Sequence, residues 1–268
     1  MSSRRTHTFR VVILCVALAT CNFALNGKAS AALADLGEAQ RFLFLAQKGI
    51  SEGGSINRYI GDIAAPSMYS WNPFSFDGTI VDNEPIIAEA IADALEFSTL
   101  LATLQPDATF SVDPPREWHT VKSGLNVLNV LDYPDAYCSL PQTIFGDEGD
   151  TVVVNVMHSG EVEAGIQVGG GLRPENLIVN ILNASAPYLG LGSTRTAGTY
   201  LVANGRALYG AGSGGLDGAV LSTSYINIDG GSNSFNHCPF DASAIPEPAT
   251  SLLLGLGGWG LVQRRRGA

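Results

Sequence analysis

The feature of the sequence that most constrains the fold is a series of short apolar runs separated by turns rich in Gly, Asn and Asp. Many of these runs are rich in β-branched residues or alternate apolar with polar residues, which is typical of β-strands. The runs occupy 41–46, 124–131, 151–156, 176–181, 198–203, 218–222 and 224–228. In the second half of the chain they recur about every 20 residues without helices between them, which excludes alternating βαβ units. The spacing fits either a β-sandwich or a stack of β-coils in which each rung covers its neighbour.

One helix is predicted, over residues 84–104. Asp82 or Asn83 can cap its first turn, and Pro85 stands where a missing N–H costs nothing. Pro106 ends the helix. Apolar residues recur at helical spacing and predict a single buried stripe. The residues of this stripe are Ile87, Ile91, Ala94, Leu95, Leu101 and Leu104.

The N-terminus has the three parts of a secretory signal peptide. Arginines come first, an apolar stretch over 11–25 follows, and Ala29 and Ala31 have the small-residue spacing that signal peptidase cleaves. We therefore predict export with cleavage after Ala31. A retained membrane anchor is disfavoured, because the stretch of about 15 residues is shorter than the roughly 20 that a span needs. A lipoprotein signal at Cys21 is a further alternative, which Thr20 disfavours.

The C-terminus combines a Pro-Glu-Pro motif, an apolar stretch and a basic cluster. The residues of the motif and of the cluster are Pro246, Glu247, Pro248, Arg264, Arg265 and Arg266. The apolar stretch between them, 249–262, would rise about 21 Å as a helix, against roughly 30 Å of hydrocarbon in a bilayer. This order resembles the PEP-CTERM sorting signal that exosortases read. The resemblance implies a Gram-negative-type envelope, transient holding in the inner membrane by a short transmembrane helix, and cleavage near 246–248. An uncleaved tail anchor is the alternative.

These terminal segments divide the chain into a signal peptide (1–31), a central domain (32–243) and a sorting segment (244–268). Residues 32–245 keep 8 of the 15 Lys and Arg residues and 24 of the 25 Asp and Glu residues, which gives a formal charge of −16. Nucleic-acid binding requires a basic footprint, so the sequence excludes that class of partner. We expect contact with a membrane only through the terminal segments.

The central domain contains two cysteines, Cys138 and Cys238. An exported protein meets an oxidising compartment, so we predict a disulfide between them, with two unpaired thiols as the alternative. The chain has no C-x-x-C motif and no closely paired histidines in this domain, and we predict neither a metal site nor a cofactor. The acidic turn 147–150 offers carboxylates to Ca²⁺ but lacks the full loop signature, which leaves calcium binding open.

No catalytic residue is predicted. The Gly-rich tracts 169–171 and 210–215 lack the Lys and the helix N-terminus of a phosphate loop, so we interpret them as corner turns. Some polysaccharide lyases and hydrolases carry acidic groups on β-helices, which makes Asp132, Asp135 and Asp217 candidates. Nothing in the sequence fixes their spacing, and a carbohydrate-active enzyme is the least favoured alternative.

Several short motifs follow one another in the order found in one family of exported bacterial domains. They are Leu-Gly-Glu-Ala at 36–39, Gly-Asp-Ile-Ala at 61–64, the strands 151–156 and 176–184, Gly-Thr-Tyr-Leu-Val-Ala-Asn-Gly at 198–205, Leu-Asp-Gly-Ala-Val-Leu-Ser at 216–222 and Asn-His-Cys-Pro-Phe at 236–240. Over most of 35–240 the chain thus resembles the choice-of-anchor A family, although 202–205 lacks the usual proline. The resemblance implies a mainly β fold, a right-handed parallel β-helix (solenoid) with one long amphipathic helix packed along it.

The layout is also similar to the ice-binding adhesin fold, notably at 76–80 before the helix. A flat ice-binding face would need ranks of threonine at strand spacing, and the strands offer only scattered ones, at Thr151, Thr199 and Thr223. We therefore predict a non-enzymatic protein of the cell surface or extracellular matrix with a structural or adhesive role. Its expected partners are signal peptidase and exosortase during export, and then extracellular polysaccharide or matrix protein. An ice- or surface-binding protein is the alternative.

Overall fold

The computed structural model describes the central part of the chain. The described residues are 36–53, 57–71, 73–190, 195–210, 214–229 and 233–245. The predicted signal peptide and the predicted apolar sorting helix lie outside them. Residues 34–246 form one compact unit. Among the helices that the structure describes, none has the length and hydropathy that a membrane crossing requires.

The described residues form 21 β-strands, one α-helix and three short 3-10 helices. The strands before the helix are β1 (Phe42–Ala46), β2 (Gly49–Glu52), β3 (Arg58–Ile60), β4 (Asp62–Ala64), β5 (Met68–Tyr69), β6 (Ser75–Asp77) and β7 (Ile80–Val81). The helix α1 covers Glu84–Ala102. The strands after the helix are β8 (Ala108–Phe110), β9 (Glu117–His119), β10 (Leu125–Val130), β11 (Tyr137–Ser139), β12 (Thr143–Gly146), β13 (Thr151–Val156), β14 (Glu161–Glu163), β15 (Gln167–Gly170), β16 (Leu177–Ile181), β17 (Thr196–Val202), β18 (Ala207–Tyr209), β19 (Gly215–Ser222), β20 (Tyr225–Ile228) and β21 (Ser234–His237). The 3-10 helices cover Gly37–Arg41, Pro174–Asn176 and Ala242–Ala244.

The strands pair in parallel and wind around three faces, so the unit is a β-solenoid. The helix-covered face contains, in spatial order, β8, β10, β13, β16, β17, β19, β1, β4 and β7. The polar face contains β9, β12, β15, the first parts of β17 and β19, β21, β3 and β6. The tyrosine face contains β11, β14, Tyr188, β18, β20, β2 and β5. This arrangement agrees with the predicted mainly β fold of parallel strands and one helix.

The order of the coils along the solenoid differs from their order in the chain. The two N-terminal coils, β1–β3 and β4–β6, stack beyond the C-terminal coil of β19, β20 and β21. The register joins Phe44 to Val220 on one face and Tyr59 to Phe235 on another. Inside this junction the rings of Tyr59 and Phe235 stack with centroids 5.0 Å apart, and Phe44 packs edge-on against Phe235 at 5.3 Å. The chain then returns through α1 to the opposite end of the stack, where β8 begins.

The helix α1 lies on the helix-covered face and agrees closely with the prediction over 84–104. The Asn83 side chain caps it by accepting a hydrogen bond from the backbone N–H of Ile86 at 3.4 Å. The residues that it buries are Ile87, Ala90, Ile91, Ala94, Phe97, Ser98 and Leu101. The prediction that Leu95 belongs to the buried stripe is wrong, since its side chain is 38% exposed. Leu95 lies one residue past Ala94, about 100° around the helix, and so turns away from the sheet.

A ladder of three buried asparagines fixes α1 to the sheet. Asn129, Asn155 and Asn180 occupy equivalent positions on β10, β13 and β16 and hydrogen-bond to one another. The Asn180 amide donates to the Ser98 carbonyl at 2.9 Å, and its oxygen accepts from the Ser98 hydroxyl at 2.6 Å. The Asn155 amide donates to the Leu101 carbonyl at 2.9 Å. Polar groups buried under the helix are thereby paired, which avoids the cost of desolvating them without a partner.

Candidate functional surface

The residues predicted to direct export and sorting lie outside the described residues. They are Ala29, Ala31, Pro246, Glu247, Pro248, Arg264, Arg265 and Arg266. Inside the folded unit the candidates are the two cysteines, the acidic residues and the open faces of the solenoid.

The two cysteines are free thiols. Cys138 points into the core from β11 on the tyrosine face, whereas Cys238 follows β21 on the polar face. Because β11 and β21 belong to coils several rungs apart, the structure does not contain the predicted disulfide between them. Burial raises the pKa of both thiols, which disfavours the reactive thiolate.

The acidic turn 147–150 is organised around the buried carboxylate of Asp150. Its oxygens accept hydrogen bonds from the Thr120 hydroxyl at 2.7 Å and from the backbone N–H groups of Gly124 and Asp147, each at 2.9 Å. Burial raises the pKa of the Asp150 carboxyl, but these hydrogen bonds outweigh that effect and hold the pKa below its usual value. The carboxylate therefore anchors the turn. Within the described ranges, no group of three or more His, Cys, Asp or Glu residues is placed to hold a metal ion.

The acidic residues considered for catalysis do not come together. Asp132 follows β10, where its Oδ1 atom lies 3.3 Å from Nδ1 of the buried His158. Asp217 lies on the polar face and forms an ion pair with Arg195. Asp135 is exposed in the turn that leads to β11. Two carboxyl groups that cleave a glycosidic bond must flank one substrate, so this arrangement gives no support to a carbohydrate-active enzyme.

The polar face presents a mixed set of outward side chains. These include Glu117, His119, Thr143, Phe145, Gln167, Asp217, Asn236, Arg58, Ile60, Ser75 and Asp77. Thr151 and Thr199, two of the threonines considered for an ice-binding face, belong to the helix-covered face and are only 5% and 0% exposed. The described part of the polar face therefore carries no rank of threonines.

The tyrosine face carries four exposed tyrosines. Tyr137, Tyr188, Tyr225 and Tyr69 are 47%, 39%, 37% and 50% exposed. Tyr137 lies on β11, Tyr188 at the bridge between β14 and β18, Tyr225 on β20 and Tyr69 on β5. These are alternate strand positions in this sheet. A tyrosine thus projects from every second rung, which corresponds to a backbone spacing of about 9.6 Å along the solenoid.

Three of these tyrosine side chains reach towards glycines of the sheet. The Tyr188 hydroxyl covers Gly210, and a Cβ atom at that position would overlap it. Tyr225 and Tyr69 both approach Gly49, where a Cβ atom would lie 3.4 Å from Tyr225 Cε1 and 2.9 Å from Tyr69 Cε2. The glycines therefore leave room for these aromatic side chains close to the sheet.

A shallow groove of about 410 Å³ lies between Tyr137 and Tyr188. Glu161, Glu163 and Arg206 line it. The Tyr137 hydroxyl donates to Glu163 Oε2 at 2.5 Å, and burial together with this hydrogen bond raises the pKa of Tyr137 to about 12. The groove thus sets carboxylate acceptors and guanidinium donors beside aromatic rings.

Sequence reasoning did not identify the tyrosine face. Its strands are two to four residues long, and its tyrosines are separated in the chain by intervals that follow no regular period. The available signal was a tyrosine that alternates with inward residues, as in Tyr-Cys-Ser at 137–139 and Tyr-Ile-Asn at 225–227. Such three-residue patterns indicate a shared face only when the stacking order of the coils is known.

Comparison with known proteins confirms the sorting signal and supports the fold. Residues 244–266 match the PEP-CTERM protein-sorting motif, which indicates an exosortase-sorted protein exported to the surface of a Gram-negative-type bacterium. No curated protein matches the chain at a significant level.

Three solved structures of ice-binding proteins are similar to the solenoid. The ice-binding protein of the Antarctic ascomycete Antarctomyces psychrotrophicus is 17% identical with a TM-score of 0.56, and the match covers 75% of this chain and 97% of that one. A glycosylated ice-binding protein (LeIBP) from an Arctic yeast is 17% identical with a TM-score of 0.58, over 77% and 95% of the two chains. The DUF3494 domain of a Shewanella frigidimarina ice-binding protein is 17% identical with a TM-score of 0.52, over 76% and 97%. At these identities the likeness establishes the fold.

Proposed function

We propose that the protein is a non-enzymatic contact protein of the cell surface or extracellular matrix. It loses its signal peptide after Ala31 and is cleaved by an exosortase near 246–248. The observation that carries the proposal is the PEP-CTERM motif at 244–266, attached to a solenoid of which two faces are left uncovered by the described residues. The ordered motifs between 35 and 240 lead us to place the chain, within this proposal, among the choice-of-anchor A proteins.

The physical basis is the form of the surface. A stack of β-coils offers long rows of outward side chains on a rigid scaffold, which suits contact with an extended partner better than enclosure of a small substrate. The helix α1 occupies one face and leaves the polar and tyrosine faces open. A formal charge of −16 on 32–245 favours solubility and disfavours non-specific binding to anionic polymers.

Mass spectrometry of both termini of the protein from its native host tests the processing. We expect the wild-type protein to begin near residue 32 and to lack Arg264–Arg266. A variant with Pro246, Glu247 and Pro248 all replaced by Ala should keep the arginine tail and remain in the inner-membrane fraction.

The matched control for that variant is Pro239→Ala. Pro239 is exposed and lies outside the matched motif, so its replacement should leave processing unchanged. A wild-type protein that retains Arg264–Arg266 in the cell would rule out exosortase sorting.

A second candidate function is ice binding, which the shared fold with ice-binding proteins favours. The outward side chains of the two open faces favour the first proposal, because they are a mixture dominated by charged, amide-bearing and aromatic residues, with Thr143 as the single threonine among those named, where a flat ice face would carry ranks of threonines. An assay of ice recrystallisation separates the two. We expect the purified protein to leave ice grain growth unchanged, and clear inhibition would replace the contact proposal with ice binding.

A further inference from the structure

We propose that the tyrosine face binds an extended, neutral, β-linked polysaccharide chain that lies along the solenoid. This inference rests on the proposed contact function and names its ligand class and its site. The site consists of Tyr137, Tyr188, Tyr225 and Tyr69, with the groove lined by Glu161, Glu163 and Arg206.

The first argument is the position of the aromatic side chains. The faces of pyranose rings carry C–H groups, which pack against flat aromatic surfaces. Tyr188 reaches over Gly210, and Tyr225 and Tyr69 reach Gly49, so these exposed side chains lean along the sheet, where a sugar ring can pack against them. A set of exposed aromatic residues gathered on one face marks a contact site, whereas single exposed residues do not, and the burial of aromatic rings stabilises a complex strongly.

The second argument is the spacing. Tyrosine positions recur in every second rung, about 9.6 Å apart along the solenoid axis. They alternate between two columns that stand two residues apart on the strands, Tyr137 and Tyr225 in one and Tyr188 and Tyr69 in the other. In an extended β-1,4-linked chain alternate sugars present the same face, and one disaccharide unit has nearly this length. A chain laid along the solenoid between the two columns would therefore meet a tyrosine at every second sugar, alternately from its two sides.

The third argument is the polar lining of the groove. Sugar hydroxyls both donate and accept hydrogen bonds, and the groove supplies acceptors in Glu161 and Glu163 and donors in Arg206. The two carboxylates outnumber the guanidinium, and residues 32–245 carry a formal charge of −16. This charge balance disfavours a polyanionic glycan and favours a neutral one.

Co-sedimentation of the purified protein with microcrystalline cellulose and with chitin tests the inference, with soluble alginate as a polyanionic comparator. We expect binding to at least one of the two insoluble polymers and none to alginate. Tyr188→Ala should weaken that binding by about threefold to tenfold, the range expected when one aromatic contact is lost. Tyr188→Phe keeps the ring and should bind like the wild type.

Two further variants separate ring stacking from general damage. Gly210→Ala keeps Tyr188 but displaces its ring, so it should weaken binding in the same direction as Tyr188→Ala. Phe74→Ala removes an aromatic residue that is 61% exposed outside the tyrosine face, and it should leave binding unchanged. Circular dichroism and thermal unfolding of each variant check that the solenoid is intact.

The inference fails if the wild-type protein binds none of the insoluble polymers, or if Phe74→Ala reduces binding as much as Tyr188→Ala. That failure is distinct from failure of the proposed function, because processing at 246–248 is measured on cells. A correctly cleaved, surface-located protein without glycan binding would refute only the tyrosine-face site. An uncleaved protein would refute the sorting proposal whatever its binding.

Discussion

Asp150 carries a buried carboxylate that holds three donors around one turn of the solenoid. Asp150→Asn replaces one acceptor oxygen by an NH2 group, which leaves at least one donor from Thr120, Gly124 or Asp147 without its partner. We expect a loss of about 1–3 kcal/mol in the free energy of unfolding at pH 7, measured by urea denaturation. Asp147→Asn is the control, because it makes the same charge change on an exposed side chain and should shift stability by about 0.5 kcal/mol or less.

The pKa of the Asp150 carboxyl predicts how the difference in stability between the wild type and Asp150→Asn depends on pH. The pKa of Asp150 in the folded protein lies below its usual value, so the unfolded chain binds more protons in the acidic range. The stabilisation is therefore fully present above the unfolded-state pKa of about 3.9 and is lost as the pH falls through the folded-state pKa. The gap in stability between the wild type and Asp150→Asn should narrow below about pH 4. A gap that stays constant down to pH 3 would argue against the anchoring role.

At the scale of the elements, α1 contains two large apolar residues, Phe97 and Leu95, that differ strongly in burial. Phe97 is 2% exposed and packs on Phe240 with ring centroids 6.1 Å apart, whereas Leu95 is 38% exposed. Phe97→Ala should destabilise the protein by about 3–5 kcal/mol, because it opens a cavity between the helix and the sheet. Leu95→Ala should cost about 1 kcal/mol or less. Equal losses in urea denaturation would show that the helix does not dock through the Phe97 side.

The elements that the sequence predicts well are those of the helix-covered face and α1. The predicted runs 124–131, 151–156 and 176–181 correspond to β10, β13 and β16. Both sides of these strands are buried, so their residues are mainly apolar. Each also carries an asparagine at the same place, which the structure explains by the ladder under α1. The strands of the two open faces are short and half polar, so their local patterns resemble those of turns.

At the scale of the whole molecule, the stacking order could not be predicted from local pattern. Coils that follow one another in the second half of the chain stack in sequence, but β1 pairs with β19 across more than half the chain. The contacts that fix this junction are between buried apolar and aromatic residues, whose types do not encode a particular partner. For the same reason the four tyrosines of the tyrosine face are brought into one series only by the fold.

The junction between the N-terminal coils and β19–β21 predicts where the solenoid will open first when it is weakened. Phe44 is fully buried there, against Tyr59 and Phe235, and Phe44→Ala should cost about 3–5 kcal/mol. Each coil contacts only its neighbours, so the loss should act mainly on the end formed by β1–β7. Hydrogen exchange should therefore accelerate most over 42–81.

Ile144→Ala is the matched control for that variant. Ile144 is also fully buried, but it lies on β12 near the opposite end of the stack, so its loss should speed exchange mainly in β8–β12. Protection from hydrogen exchange should therefore fall most at the β1–β7 end in Phe44→Ala and at the β8–β12 end in Ile144→Ala. If both accelerate exchange uniformly over all the strands, the unit unfolds as one cooperative body, and the independence of its two ends is refuted.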